Sequence, residues 1–317
     1  MSEIYDFTRV MTLVGHCDGV NSIAFHPNES LIATGSHDKT AKLWRTSIDN
    51  KTMKCVATLV GHSGHVLSVA FHPRDQVLAT GSGDRTAKLW RFNSAGTAVN
   101  CVATLTGHRD RVTCVAFHET MPFLATSSFD GTVKMYILDE HDNVTLVATL
   151  EHSDCVTSVA FHTTEPFIVI GSDDNTAKIW HISPNGDVVI CIATLVGHNS
   201  SVDAVAFHVT EPLIATGSND GTAKVWHISP DYTVTCLATL NGHFGPITSV
   251  VFHPIKPVLA TGSYDNTIRV WNLTSNGTVA TCIKTLCDNS SVYSVAFDPK
   301  TYIIATGSAD NTAKLWQ

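Results

Sequence analysis

Short apolar runs of strand length follow one another along the whole chain. In one representative stretch they read HVLSVAFHP, QVLATGS, TAKLWRF and VNCVATLTGH, and turn-forming residues separate them. Even the most apolar runs, such as PVLAT and PFIVI, fall well below the roughly 18 apolar residues that a membrane helix needs. The pattern therefore predicts an all-β protein in which groups of four short strands repeat.

Turn residues mark the connection between the third and fourth run of each group. These connections include NSAGT, SPNGD and TSNGT. Asn-Gly pairs favour tight hairpins because both central residues tolerate a positive φ. The four strands of a group are therefore expected to pair in antiparallel fashion.

An Asp-centred turn recurs every 44 to 46 residues and divides the chain into seven units. The residues at this position are Asp38, Asp84, Asp130, Asp174, Asp220, Asp265 and Asp310. Six residues after each of them stands an aromatic residue: Trp44, Trp90, Tyr136, Trp180, Trp226, Trp271 and Trp316. A Gly-His pair or a variant of it precedes each turn, at His16, His62, His108, His152, His198, His243 and Asp288.

The period, the strand count and these landmarks resemble the WD-repeat (tryptophan–aspartate) family across residues 7–317. The resemblance implies an all-β, seven-bladed β-propeller with four antiparallel strands per blade, in a single domain over 1–317. The repeats are predicted at about 15–60, 61–106, 107–150, 151–196, 197–241, 242–286 and 287–317 plus 7–14. Because the chain stops after the third strand of the last unit, the N-terminal strand in FTRVMTLVGH is expected to complete that blade, which removes a free sheet edge.

The resemblance also implies one buried hydrogen-bonded tetrad per blade. In the first blade it comprises His16, Asp38, Trp44 and a strand hydroxyl, either Thr34 or Ser36. The same structural role is expected for His62, Asp84, Trp90, His108, Asp130, His152, Asp174, Trp180, His198, Asp220, Trp226, His243, Asp265, Trp271, Asp310 and Trp316. An identical His–Asp pair in almost every blade indicates structure rather than catalysis, so no catalytic residue is expected.

Three blades depart from this pattern. Tyr136 replaces a Trp, Ile170 replaces the strand Thr, and Cys287-Asp288 replaces Gly-His in the last unit. Asp288 is expected to face Asp310 as a like charge, unless one carboxyl is protonated or water intervenes. The last blade is therefore predicted to open most readily.

Charge and cysteine content narrow the function classes. A net charge of −8, with only 15% of residues charged, gives no basic footprint for nucleic acid. Recurring AFH histidines such as His26 are interpreted as turn residues rather than metal ligands, and recurring lysines such as Lys42 as packing through their stems. Neighbouring sheets about 10 Å apart keep cysteines of different blades from pairing. Free, buried, reduced thiols are therefore expected at the shared repeat position of Cys55, Cys101, Cys191, Cys236 and Cys282.

Two sets of positions differ from repeat to repeat: the residue before the turn Asp, and the residues beside the first Val or Ile of the innermost strand. In WD-repeat proteins these positions resemble the rim of the central channel, where peptides commonly dock. Aromatic and Arg side chains are frequent interface anchors. The predicted partner-binding residues are His37, His65, Leu67, Arg109, Arg111, Phe129, Asp173, Asp203, Asn219, Tyr264 and Tyr293.

The leading functional prediction is a non-catalytic scaffold or adaptor that binds short peptides with a basic or polar anchor. Alternatives left open are a metal-dependent propeller enzyme using Asp173 and Asp203, and a phosphate or nucleic-acid reader using Lys39, Arg85, Arg109 and Arg111. A rim without any dedicated ligand is a further possibility. No cofactor and no metal is expected, and the N-terminus MSEIYDFTRV shows no signal peptide. We expect an intracellular monomer, cytoplasmic rather than nuclear, whose partners are proteins or peptides and not membranes.

Overall fold

A computed structural model describes residues 7–46, 52–139, 141–274, 278 and 280–317. These residues form 28 strands, arranged as seven four-stranded antiparallel sheets. Within the described residues, no helix is long and apolar enough to cross a membrane. The predicted all-β, seven-bladed propeller is confirmed.

Blades 1 to 4 follow one another in chain order after the N-terminal strand β1 (Arg9–Val14). Blade 1 contains β2 (Val20–Phe25), β3 (Leu31–Ser36), β4 (Ala41–Thr46) and β5 (Met53–Leu59). Blade 2 contains β6 (Val66–Phe71), β7 (Val77–Ser82), β8 (Ala87–Phe92) and β9 (Val99–Leu105). Blade 3 contains β10 (Val112–Phe117), β11 (Phe123–Ser128), β12 (Thr132–Leu138) and β13 (Val144–Glu151). Blade 4 contains β14 (Val156–Phe161), β15 (Phe167–Ser172), β16 (Thr176–Ile182) and β17 (Val189–Val196).

Blades 5 to 7 complete the ring. Blade 5 contains β18 (Val202–Phe207), β19 (Leu213–Ser218), β20 (Ala223–Ile228) and β21 (Val234–Leu240). Blade 6 contains β22 (Ile247–Phe252), β23 (Val258–Ser263), β24 (Thr267–Leu273) and β25 (Ala280–Cys287). Blade 7 contains β26 (Val292–Phe297), β27 (Ile304–Ser308) and β28 (Thr312–Trp316), and β1 pairs with β28 as its fourth strand.

The N-terminal strand closes the ring as predicted. Leu13 pairs with Ala313 in the antiparallel register of β1 and β28. Beyond the ladder, Thr8 and Gln317 exchange two backbone hydrogen bonds of 2.8 and 2.9 Å. This pairing gives β28, which would otherwise end blade 7, a covered edge.

The apolar core lies between neighbouring blades. One cluster, for example, joins Leu31 and Leu43 of blade 1 to Val66 and Leu78 of blade 2. Blades come this close where the second strand carries Gly: a Cβ on Gly307 would lie 2.7 Å from the Val20 carbonyl oxygen of blade 1. Full burial of each Val or Leu stabilises the fold by roughly 1.5–3 kcal/mol, so stability is spread around the ring.

Outer turns between the third and fourth strands use Gly where the sequence predicted turns. Gly96 of NSAGT has a φ of 71° and Gly186 of SPNGD a φ of 74°. The tight hairpin expected for the Asn-Gly pair is wrong for SPNGD, because Gly186 is the only turn residue with a positive φ and the loop is longer than two residues. Residues 275–277 of TSNGT lie outside the described residues.

The outermost strands face solvent on one side and correct the prediction for the cysteines. All nine cysteines lie in the described part of the chain and are free thiols. The five at the shared repeat position are exposed rather than buried: Cys55, Cys101, Cys191, Cys236 and Cys282. Each lies on the outermost strand of its blade, where the cysteine and the residue before it are both exposed.

Candidate functional site

The structural tetrad of blade 1 forms a continuous hydrogen-bond chain. Trp44 Nε1 donates to Thr34 Oγ1 at 2.8 Å, and Thr34 Oγ1 lies 2.7 Å from His16 Nε2. His16 Nδ1 in turn lies 2.7 Å from Asp38 Oδ2. Because the indole N–H can only donate, the Thr hydroxyl donates to Nε2, and the neutral imidazole donates from Nδ1 to the carboxylate. The strand hydroxyl is therefore Thr34.

Ser36, the other candidate hydroxyl, has a separate role in the turn. Its Oγ donates to the carbonyl oxygen of Asp18 at 2.9 Å and accepts from the backbone N–H of Asp38 at 3.0 Å. Ser36 therefore fixes the turn that presents Asp38, while Thr34 links the imidazole to the indole.

Burial and hydrogen bonding set the charges of the tetrad. Burial lowers the pKa of His16, an effect that the neighbouring Asp38 only partly opposes. Burial raises the pKa of Asp38, but hydrogen bonds from Thr40, His16 and the backbone N–H of Cys17 outweigh it and bring the pKa to about 2. The pair is thus a neutral imidazole and a carboxylate whose hydrogen-bonding capacity is used within the blade.

The same arrangement recurs in blades 2, 3, 5 and 6. The His–Asp distances there are 2.8, 3.0, 3.0 and 2.8 Å. In blade 3, Tyr136 takes the place of Trp and its hydroxyl bonds to Thr126. In blade 4, Ile170 offers no hydroxyl, and two buried nitrogens, His152 Nε2 and Trp180 Nε1, have no partner among the described residues.

Blade 7 contains a buried ion cluster instead of the expected contact between two carboxylates. Lys314 Nζ lies 2.7 Å from Asp288 Oδ1 and 2.6 Å from Asp310 Oδ2. Lys314 is 1% exposed. The predicted like-charge contact is therefore wrong, because an ammonium group separates the two acids. The interpretation of the recurring lysines as packing stems is also wrong for Lys314.

The varied positions of the repeats converge on a cavity of about 340 Å³ at one end of the central channel. Its lining comes from all seven blades: Asn21, His37, Leu67, Arg111, Thr113, Phe129, Thr157, Asp173, Asp203, Thr248, Tyr264 and Tyr293. This set, here called the rim cavity, includes eight of the eleven predicted partner-binding residues. The fold thus brings together side chains that are far apart in the sequence.

Three predicted partner-binding residues lie beside the rim cavity rather than in its lining. The His65 ring contacts the His37 ring in a tilted arrangement, with ring centroids 4.5 Å apart. Arg109 is an exposed loop residue whose backbone N–H donates to Asp130 at 2.8 Å. Asn219 is exposed next to its turn Asp.

Two kinds of rim residue are not among the predicted partner-binding residues. Thr113 and Thr248 line the cavity, and each donates a hydrogen bond to the next blade's backbone, at 2.8 Å to Val156 O and 2.7 Å to Val292 O. Phe244, which follows the tetrad His243, is 94% exposed on the same face. A comparison of the residue after each tetrad His would have singled out Phe244, because the other blades have Cys17, Arg109 or a small polar residue at that position.

The rim cavity has a cationic side and an acidic side. Arg111 lies over the Phe129 ring at 5.1 Å in blade 3. In the next two blades, 4 and 5, burial raises the pKa of Asp203 to about 6, and burial together with Asp154 raises the pKa of Asp173. The rings of Tyr264 and Tyr293 meet at 5.7 Å beside them. Such carboxylates are stabilised by an incoming cation.

One group of potential metal ligands adjoins the acidic side. The ligand atoms of Asp154, Cys155 and Asp173 lie within 4.8 Å of one another. The sequence-based alternative paired Asp173 with Asp203 and overlooked Asp154 and Cys155. The AFH histidines behave as turn residues: His26 Nδ1 accepts from the backbone N–H of Asn28 and Glu29 at 3.1 and 3.0 Å.

Comparison with known proteins gives one family throughout the chain. The family model for the WD domain, G-beta repeat, matches seven times, at residues 7–45, 53–91, 99–136, 144–181, 189–227, 234–272 and 280–317. WD repeat-containing protein 37 from Homo sapiens is 49% identical over 43 residues, and the protein of the same name from Pongo abelii matches equally. Each match covers 14% of this chain and only 9% of the relative. WD40 propellers are typical of protein-interaction scaffolds.

Proposed function

Because the chain belongs to the WD40-repeat family, we propose that it is a non-catalytic scaffold that binds peptide segments of partner proteins at the rim cavity. The observation that supports this most directly is the lining of that cavity. It draws on every blade, and on the positions that the repeated fold leaves free to vary. Two Tyr rings, a Phe and an Arg at one site are the residue types that dominate binding energy at protein interfaces.

The proposed ligand is a short segment with a basic anchor. Asp173 and Asp203 face the channel in partly buried positions that raise their pKa values. A Lys or Arg side chain of the ligand would supply the positive charge that stabilises their ionised forms. The adjacent Tyr264 and Tyr293 rings provide faces for a cation and for its aliphatic stem. Arg111 over Phe129 in the adjacent blade 3 would take a carbonyl or carboxylate of the same segment.

Affinity capture followed by peptide binding tests the proposal. Proteins captured by wild type are compared with those captured by Phe129→Ala plus Arg111→Glu. Sequence segments that recur among the proteins captured by wild type are then synthesised as peptides for calorimetry. We expect at least a tenfold weaker affinity for the double variant and for Asp173→Asn plus Asp203→Asn. Ile255→Ala, 73% exposed on the opposite face, is the matched control. Equal binding by wild type and both rim variants would remove the rim from the function.

A metal-dependent function is the second candidate, favoured by the Asp154, Cys155 and Asp173 group. Thermal unfolding with and without Zn²⁺ separates the two, because an ion that binds only the folded protein raises its melting temperature. The scaffold proposal expects no rise. A rise that Cys155→Ser abolishes would favour the metal-dependent alternative.

A further inference from the structure

A second cavity lies between blades 4 and 5 on the face opposite the rim cavity. Its volume is about 780 Å³, and its apolar lining includes Phe167, Phe207, Ile228 and Tyr232. It is bordered by the turns after the first and third strands, whereas the rim is bordered by the turns after the second strands, so antiparallel pairing places the two on opposite faces. This surface is called the inter-blade cavity below.

The equivalent junction between blades 3 and 4 is closed. There the outer turn of blade 4 places Gly186 directly on Phe123: a Cβ on Gly186 would lie 2.8 Å from the Phe123 ring. Phe123 is consequently 1% exposed. The Gly turn therefore acts as a seal that leaves no room for a side chain.

At the inter-blade cavity the same turn position is occupied by Tyr232. Its φ of 65° matches the 74° of Gly186, although bulky residues rarely adopt a left-handed conformation. Its ring centroid stands 6.1 Å from that of Phe167, which is only half-buried, and Tyr232 itself is 42% exposed. The Tyr232 ring, rather than the backbone of the turn, therefore contacts Phe167. The turn leaves Phe167 partly uncovered, and the cavity lies beside it.

The other departure from Gly at this position within the described residues makes a specific contact to the preceding blade. In blade 3 the residue is Asp142, with a φ of 64°, and it accepts from Arg91 Nε at 2.7 Å. Unfavourable backbone conformations that persist in a folded protein cluster at functional places. Tyr232 contacts the Phe167 ring but does not fill the inter-blade cavity. Closing the junction between blades 4 and 5 therefore does not explain its left-handed backbone conformation.

The charges around the inter-blade cavity indicate what it binds. Glu165 and Glu211 are exposed at its border, and neither has an ion-pair partner within the described ranges. At the equivalent turn of blade 1, Glu29 is paired with Arg45 at 2.8 Å. We propose that the inter-blade cavity binds a protein segment that carries one large apolar side chain flanked by lysine or arginine.

The test uses the full chain and a phage-displayed random-peptide library as the probe. Wild type is panned with Tyr232→Gly present as a soluble competitor, and the enriched peptides are synthesised for calorimetry. We expect enriched sequences with an aromatic or large aliphatic residue next to a basic one. Their affinity should fall at least tenfold in Tyr232→Gly and in Glu165→Lys plus Glu211→Lys. Gly is the residue that blades 2 and 4 have at this turn, so the first variant should fold with an unchanged or higher melting temperature.

Two controls separate this proposal from the rim proposal. Asp75→Lys reverses a charge at the equivalent turn of blade 2 and should leave the affinity unchanged. Phe129→Ala plus Arg111→Glu should also leave it unchanged, so the two sites can fail independently. No enrichment, or peptides that bind Tyr232→Gly equally, would overturn the proposal. A wild-type dimer in sedimentation that Tyr232→Gly disperses would overturn it in favour of a second copy of this chain.

Discussion

Blades 4 and 5 are neighbours with the same strand order but different interiors. In blade 5, Thr216 Oγ1 accepts from Trp226 Nε1 at 2.9 Å and lies 2.7 Å from His198 Nε2. In blade 4, Ile170 stands in that place and leaves His152 Nε2 and Trp180 Nε1 without partners among the described residues. Both blades nevertheless have four paired strands. The tetrad therefore adds stability to a blade that strand pairing and apolar packing already specify.

Blade 7 extends the comparison, because it has neither the imidazole of blade 5 nor the unpartnered nitrogens of blade 4. Lys314 contacts both Asp288 and Asp310, and Ser308 Oγ donates to Asp288 Oδ1 at 2.9 Å. The turn Asp is thus kept ionised by an ammonium rather than by a neutral His. The requirement that blades 5 and 7 share is a buried donor to the carboxylate of the turn Asp. An imidazole N–H supplies it in blade 5, and an ammonium group supplies it in blade 7.

Acid is expected to have the largest effect, because it acts on six His-containing blades together. The pKa values of the tetrad histidines are lowered on folding, so below about pH 6.5 the unfolded chain binds protons that the folded chain does not. Stability is therefore full above that pH and falls below it. The carboxylates with a pKa of about 2, such as Asp38 and Asp220, add a further loss below about pH 4.

Urea unfolding measured from about pH 7.5 to about pH 4 checks this dependence. The free energy of unfolding should decline continuously below about pH 6.5. A free energy that stays constant down to about pH 4 would show that the imidazoles are not held neutral by the fold.

Removal of the cation in blade 7 is expected to be the most damaging single substitution. Lys314→Met should cost about 3–5 kcal/mol, because it leaves the buried carboxylate of Asp288 and the partly buried one of Asp310 without their counter-charge. Lys42→Met in blade 1 is the matched control, since Lys42 Nζ only contacts the exposed Thr58 at 2.9 Å, and it should cost under about 1 kcal/mol. Equal losses in urea unfolding would show that the Lys314 cluster contributes no more than a surface contact.

The blade 7 cluster also shows where sequence reasoning ends. The spacing and its resemblance to WD repeats predicted seven blades, and the missing fourth strand of the last unit predicted that the N-terminal strand closes the ring. Lys314 lies in TAKLW, as Lys42 does, so its sequence neighbours cannot distinguish the two. What separates them is Asp288, which lies 26 residues earlier in sequence and meets Lys314 only in the folded blade. The expectation that blade 7 opens most readily stays a prediction, but its stated reason is wrong.

The candidate sites divide in the same way. Repeat positions that vary located most of the rim cavity, because the period fixes which strand end each residue occupies. The inter-blade cavity was missed, since it depends on the backbone conformation of Tyr232 and on its distance from Phe167 in the preceding blade. Neither quantity is visible in a single repeat.

Thr216→Val should make blade 5 resemble blade 4. Valine is close to Thr in shape but has no hydroxyl, so His198 and Trp226 would each lose a partner in a buried setting. We expect a loss of about 2 kcal/mol in urea unfolding, within the range for unsatisfied buried groups. Thr216→Ser keeps the hydroxyl and should retain most of the bonds, so a serine variant as unstable as the valine variant would assign the loss to packing instead.

The reverse substitution, Ile170→Thr, is expected to have the smallest effect and tests the comparison most sharply. The new hydroxyl can accept from Trp180 Nε1 and donate to His152 Nε2, which are both buried and unpartnered among the described residues. Against this gain stands the loss of apolar burial, since Ile170 is 1% exposed and packs in the core between blades 4 and 3. The two terms leave a net stabilisation of about 1 kcal/mol, measured by urea unfolding. Ile170→Val, which removes apolar volume without adding a hydroxyl, should destabilise the protein by about 1 kcal/mol. A Thr variant no more stable than the Val variant would mean that a hydrogen-bond partner for the two blade 4 nitrogens adds no stability.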